Sequence, residues 1–97
     1  MQVIENATQL KARLRERHDD PDHPGGVRLT VEVTAAAPAG GLPSLVEAAA
    51  GDILAVRVPP AERAAVEGLA AGAAVTLQVR LRGPGVHTLV PGTLVAD

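Results

Sequence analysis

A chain of 97 residues that contains no Phe, Tyr or Trp has to close its core with Val, Leu, Ile and Ala. Side chains of that kind suit the pleated, half-buried faces of strands, where β-branched residues are favoured. The same absence narrows function. Rings are the usual platforms for stacking bases, sugars and flat cofactors, and they anchor many tight interfaces. This chain therefore has to recognise its ligands through charge, backbone or aliphatic surface.

Two segments carry the period-two signature of a half-buried strand. Val27, Leu29, Val31 and Val33 alternate with Arg28, Thr30, Glu32 and Thr34, and Val75, Leu77, Val79 and Leu81 alternate with Thr76, Gln78, Arg80 and Arg82. Between them, Leu54, Val56 and Val58 share a face of a third strand, and residues 44–50 read as a short, weak one through Leu45 and Val46. Pro59-Pro60 ends the third strand and opens a short helix over residues 61–69, with Ala65, Val66 and Leu69 facing inward and Gly68 and Gly72 as its stop. Gly83-Pro84-Gly85 turns the chain back into a hairpin partner over residues 86–90.

Residues 1–26 are expected to form a separate arm and loop, and residues 27–97 the main body. Asn6 with Gln9 fits a helical capping box, and Ala7, Leu10 and Leu14 recur at helical spacing among good helix formers. The same stretch also reads as a strand, because Leu10, Ala12 and Leu14 alternate with Lys11, Arg13, Arg15 and Arg17. Cap and propensity together favour helix. The arm ends in the loop chemistry of His18-Asp19-Asp20-Pro21-Asp22-His23-Pro24-Gly25-Gly26.

Three strands, a helix and two further strands make the fold class mainly β, a five-stranded Greek-key barrel with a helix between strands three and four. The order resembles that of the OB-fold superfamily over about residues 27–94. The run Gly51-Asp52-Ile53-Leu54-Ala55-Val56-Arg57-Val58-Pro59-Pro60, followed by the helix and by Gly72-Ala73-Ala74-Val75-Thr76-Leu77-Gln78-Val79-Arg80, is also similar to small TOBE domains. Molybdate-binding members of that family open with a Ser-Ala-Arg-Asn-Gln-Leu-Lys-Gly type of segment, of which Gln9, Leu10 and Lys11 match here. The resemblance implies a small-oxyanion site at a subunit interface, with Thr8, Lys11 and Arg80 as the residues to hold it.

The remaining chemistry is sparse. Zero cysteines remove disulfides, thiol nucleophiles and cysteine–zinc sites, and the formal charge of −2 gives no global pull toward nucleic acid or anionic membrane. The first residues lack a signal peptide and no apolar run is long enough to span a bilayer, so a cytoplasmic location without membrane contact is expected. Ser44, the one serine, is not in a nucleophile elbow, and no carboxylate pair or phosphate-cradling glycine loop stands out, so no enzymatic activity and no cofactor are expected. His18, Asp20, Asp22 and His23 form the densest set of potential metal ligands, although Asp and Pro are also what turns contain.

By elimination the expected function is a non-enzymatic binding or assembly module that joins a protein partner or a second copy of itself. Its contacts would be strand edges, the Leu10 and Leu14 face of the arm, Arg57, Arg80 and Arg82, and small-residue surfaces such as Ala35-Ala36-Ala37. One alternative is nucleic-acid binding through a basic stripe of Lys11, Arg13, Arg15, Arg17, Arg80 and Arg82. The other is the oxyanion site above.

Overall fold

The computed structural model describes residues 6–41, 46, 48–83 and 85–97. Six strands, β1 (Thr8–Asp19), β2 (Val27–Pro38), β3 (Ile53–Val58), β4 (Ala74–Gly83), β5 (Val86–Leu89) and β6 (Val95–Ala96), and one helix, α1 (Arg63–Glu67), make up its regular structure. The first five strands close into a barrel in the order β1-β2-β3-β5-β4 and back to β1, with β3–β5 parallel and the other pairs antiparallel. β6 adds to the remaining edge of β4.

Closure depends on the segment that read as a helix. Residues 8–19 are a strand, and over residues 8–13 it pairs with β2 on one edge and β4 on the other. A helix there would bury one narrow stripe and leave facing edges of β2 and β4 without partners. The alternation of Leu10, Ala12 and Leu14 instead matches Leu77, Val75 and Val31 across the two seams. Asn6 does not cap a helix. Its side-chain amide donates to the Leu81 carbonyl at 3.1 Å and accepts the Leu81 N–H at 2.8 Å, prolonging the β1–β4 ladder.

The barrel's five strands are therefore not the five that the sequence suggests. The weak strand expected over 44–50 is not one: Val46 and residues 48–50 lie outside regular structure, and residues 42–45 and 47 lie outside the described residues. Val46 still packs on the core. The expected helix is a 3-10 turn at Pro60–Glu62 leading into α1, and of its apolar residues Val66 is fully buried, Leu69 packs at the core's edge and Ala65 is exposed.

One aliphatic core fills the cylinder. Leu10, Leu29, Val31, Val33, Val56, Val66, Leu77 and Val79 are each 0 % exposed. Fully burying such a side chain contributes about 1.5–3 kcal/mol, which is how a core without rings holds a chain of this size. Closure also pairs both edges of β1 over residues 8–14 and of β2 over residues 27–33, so over those stretches neither presents the open edge that strand pairing with a partner needs.

Candidate functional site

The inward residues dictate what the outside of the barrel presents. Arg28 lies between buried Val27 and Leu29, Arg57 between Val56 and Val58, and Arg80 between Val79 and Leu81, so each projects outward. Register then aligns them. Arg28 pairs with Arg57 across β2–β3, Arg57 with Thr88 across β3–β5, and Thr88 with Arg80 across β5–β4. With strands about 4.8 Å apart, the result is a lateral row of three guanidiniums and one hydroxyl on four neighbouring strands. Arg82 adds a fourth guanidinium from the irregularity in β4 between Leu81 and Gly83, and it is exposed.

The loop between β1 and β2 supplies this face with its acids. Asp20 is buried, with a side chain only 2 % exposed. Its Oδ1 accepts the Asp22 N–H at 3.0 Å and lies 3.5 Å from Arg28, while its Oδ2 lies 3.3 Å from His23 Nδ1 and 4.0 Å from Arg57. The Asp22 N–H above all, then the charges of Arg28, His23 and Arg57, hold the Asp20 carboxyl below its ordinary value against the opposing effect of burial. Asp22 lies 3.5 Å from Arg28 and 3.7 Å from Arg57. Gly26 lets the loop sit this close, since a Cβ there would lie 3.1 Å from the His23 carbonyl and 3.2 Å from that of Val58.

The complement is uneven. Arg28 and Arg57 share Asp20 and Asp22, but among the described residues neither Arg80 nor Arg82 has a carboxylate partner. The Arg80 Nε is buried without a hydrogen-bond acceptor among the described residues. Between Arg57, Arg82, Thr88 and His23 lies an open pocket of about 250 Å³. Its apolar wall is Val58, Pro59, Pro60 and Val86.

The other sites suggested by the sequence are redistributed. Leu10 and Leu14 are core residues, 0 % and 2 % exposed, and form no contact surface. The basic stripe on β1 is largely spent within the fold. Arg13 reaches the Gly72 carbonyl at 3.4 Å and Arg15 pairs with Glu32. The irregularity between Leu14 and Glu16 re-aims Arg17, which donates to the carbonyls of Val66, Glu67 and Leu69 at 2.6, 2.8 and 3.1 Å and so closes the end of α1. Lys11 alone of the four is exposed without a protein partner among the described residues.

The trio Thr8, Lys11 and Arg80 does not converge, because Thr8 is fully buried and opposite Val79 on the inner face whereas Lys11 faces out. The potential metal ligands also part: His18 turns to Glu16 at 3.0 Å while Asp20 and Asp22 turn to arginines. Among the described residues no group of three or more His, Asp or Glu is placed to hold a metal ion. Ser44 lies outside the described residues. Ala35, Ala36 and Ala37 are exposed on β2, Ala49 and Ala50 are exposed, and Ala48 packs on the core.

Sequence reading missed Arg28 and Thr88 as parts of one site with Arg57 and Arg80. The alternation shows that all four face out; which of them are neighbours is a matter of register. Comparison with known protein families, with curated proteins and with solved structures finds no match to this chain. No helix among the described residues is long and apolar enough to cross a membrane, a statement about helices only.

Proposed function

We propose that the chain is a non-enzymatic binding module on an OB-like barrel, and that it docks an acidic segment of a protein partner on the row formed by Arg28, Arg57, Arg80 and Arg82. The OB-like assignment is supported by the closure order of the five strands, the parallel β3–β5 pair and the helix between β3 and β4. The observation that carries the docking reading is the uneven complement on this face. The β2–β3 half meets carboxylates from its own loop, and the β5–β4 half, Arg80 and Arg82, meets none among the described residues. Charge complementarity of this kind steers encounter and fixes register.

The nucleic-acid alternative loses most of its residues, since Arg13, Arg15 and Arg17 are engaged within the fold and no ring is present to stack a base. The oxyanion trio named from the TOBE resemblance loses its geometry with the burial of Thr8.

The test is a titration of the isotope-labelled protein with a glutamate-rich peptide, followed by amide chemical shifts. Shifts confined to β3, β5 and the end of β4, and abolished in Arg80→Ala/Arg82→Ala, are the expected result. Shifts centred on β1, no shifts at low salt, or tighter binding of a single-stranded oligonucleotide would overturn it.

A further inference from the structure

The pocket beside this row has a composition that narrows the anion. Its polar lining converges on one concavity from three elements: Arg57 on β3, Thr88 on β5 and Arg82 on β4, with His23 added from the β1–β2 loop. Thr88 has no hydrogen-bond partner for its hydroxyl among the described residues, and His23 turns its Nδ1 toward Asp20 at 3.3 Å. The lining acid, Asp20, turns its oxygens to the Asp22 N–H, Arg28, His23 and Arg57, and its charge is set against those neighbours.

The charge balance points the same way. Four guanidiniums, Arg28, Arg57, Arg80 and Arg82, face two carboxylates, Asp20 and Asp22, which leaves a surplus of two positive charges. A single carboxylate neutralises half of that surplus. A phosphomonoester carries about −1.5 to −2 charge near neutral pH and three strong acceptor oxygens, matching the surplus of the row as a whole and the three donor groups Arg57, Arg82 and Thr88 that line the pocket. Paired guanidiniums suit its geometry. Beside these donors, Pro59, Pro60 and Val86 offer an apolar shelf to whatever carries the phosphoryl group. The concavities next to β1 have no such set, since their Arg15 and Arg17 are bound to Glu32 and to the carbonyls that end α1.

We propose that this pocket is a phosphoryl socket, in which Arg57 and Arg82 clamp the phosphoryl oxygens, Thr88 donates to them, and the ligand is a phosphorylated side chain of a protein partner. The inference rests on the docking reading above and gives that reading its preferred anion.

The experiment titrates the isotope-labelled protein in parallel with a phosphothreonine peptide of otherwise neutral sequence, the same peptide carrying Glu at that position, inorganic phosphate and a single-stranded oligonucleotide. The phosphopeptide should shift the amides of Val58, Arg82 and Thr88 and bind about tenfold tighter than the Glu peptide. Inorganic phosphate should shift the same amides more weakly, since it leaves the apolar shelf empty. Arg82→Ala, at an exposed position that the fold does not lean on, should weaken the phosphopeptide about tenfold, and Lys11→Ala should leave it unchanged. Equal binding of the Glu and phosphothreonine peptides on this face would overturn the socket while leaving acidic docking intact. Equal losses in Lys11→Ala and Arg82→Ala would also overturn it. Inorganic phosphate as tight as the phosphopeptide would overturn the protein ligand, and an oligonucleotide tighter than either, or no shifts with any probe, would overturn socket and docking reading together.

Discussion

β1 and β4 are neighbours in the barrel and read alike, each an aliphatic face backed by arginines, yet the two sets of arginines have different fates. On β1, Arg13, Arg15 and Arg17 meet the Gly72 carbonyl, the Glu32 carboxylate and the carbonyls at the end of α1. On β4, Arg80 and Arg82 meet no carboxylate among the described residues, and Arg80 Nε is buried without an acceptor. An arginine that closes a helix end is part of the fold, whereas one left facing a pocket is available to a ligand. The same residue type in the same alternation thus carries either role, and its partner in space decides which.

The comparison breaks most visibly on the inner faces, where the two strands should behave identically. Leu10 and Leu77 are opposite each other across the β1–β4 seam, both 0 % exposed. Leu10→Ala and Leu77→Ala should each cost about 2–5 kcal/mol, and the double variant should depart from additivity because the two side chains share one site. Thermal melts followed by far-ultraviolet circular dichroism measure this without ring chromophores. Additive losses would show that the seam is looser than the register implies.

The outer faces should separate in the opposite sense. Arg17→Ala removes three charge-assisted bonds to the carbonyls that end α1 and should cost roughly 1–2 kcal/mol. Arg82→Ala should leave stability within about 0.5 kcal/mol while weakening peptide binding. An Arg82→Ala protein that melts markedly lower would mean that β4's arginines are structural after all.

Asp20 sharpens the contrast through pH. Its carboxyl is held below the ordinary 3.8 in the folded chain, so the stability it confers is present above about pH 4 and is lost as pH falls through the folded value. Denaturant melts across the acid range should show a shallower loss in Asp20→Asn than in the parent chain, and identical slopes would refute the role given to that carboxylate. The smallest effect belongs to Arg15→Ala, which opens a pair with Glu32 in which the arginine side chain is 57 % exposed. It should change stability by less than about 1 kcal/mol, and less again in high salt.

Much of the architecture was legible in the chain. The alternation over residues 27–33 and 75–81 became β2 and β4 with the expected faces inward, Pro59-Pro60 ended β3, and a short helix followed. Residues 7–17 carry signals for both helix and strand, of which the fold takes the strand. Helix propensity and a capping box are local signals, and both were outweighed by hydrogen bonds to β2 and β4, which are remote in sequence. The site was half legible. Arg57, Arg80 and Arg82 stood out as exposed cations, but Arg28 and Thr88 join them only through strand register, and the arginines of β1 leave the group only because an irregularity after Leu14 turns Arg17 toward α1.

By itself, the sequence determined the material of the protein: an aliphatic core without rings, strands with one dry and one wet face, and a surface whose cations have to be arginines because lysine occurs once. Those properties follow from side-chain chemistry and a period of two, which act within a few residues. The tertiary structure decided which strand closes the barrel and which arginines stand together. Both depend on pairing between segments as far apart as Thr8 and Val79, a long-range choice that no local pattern encodes.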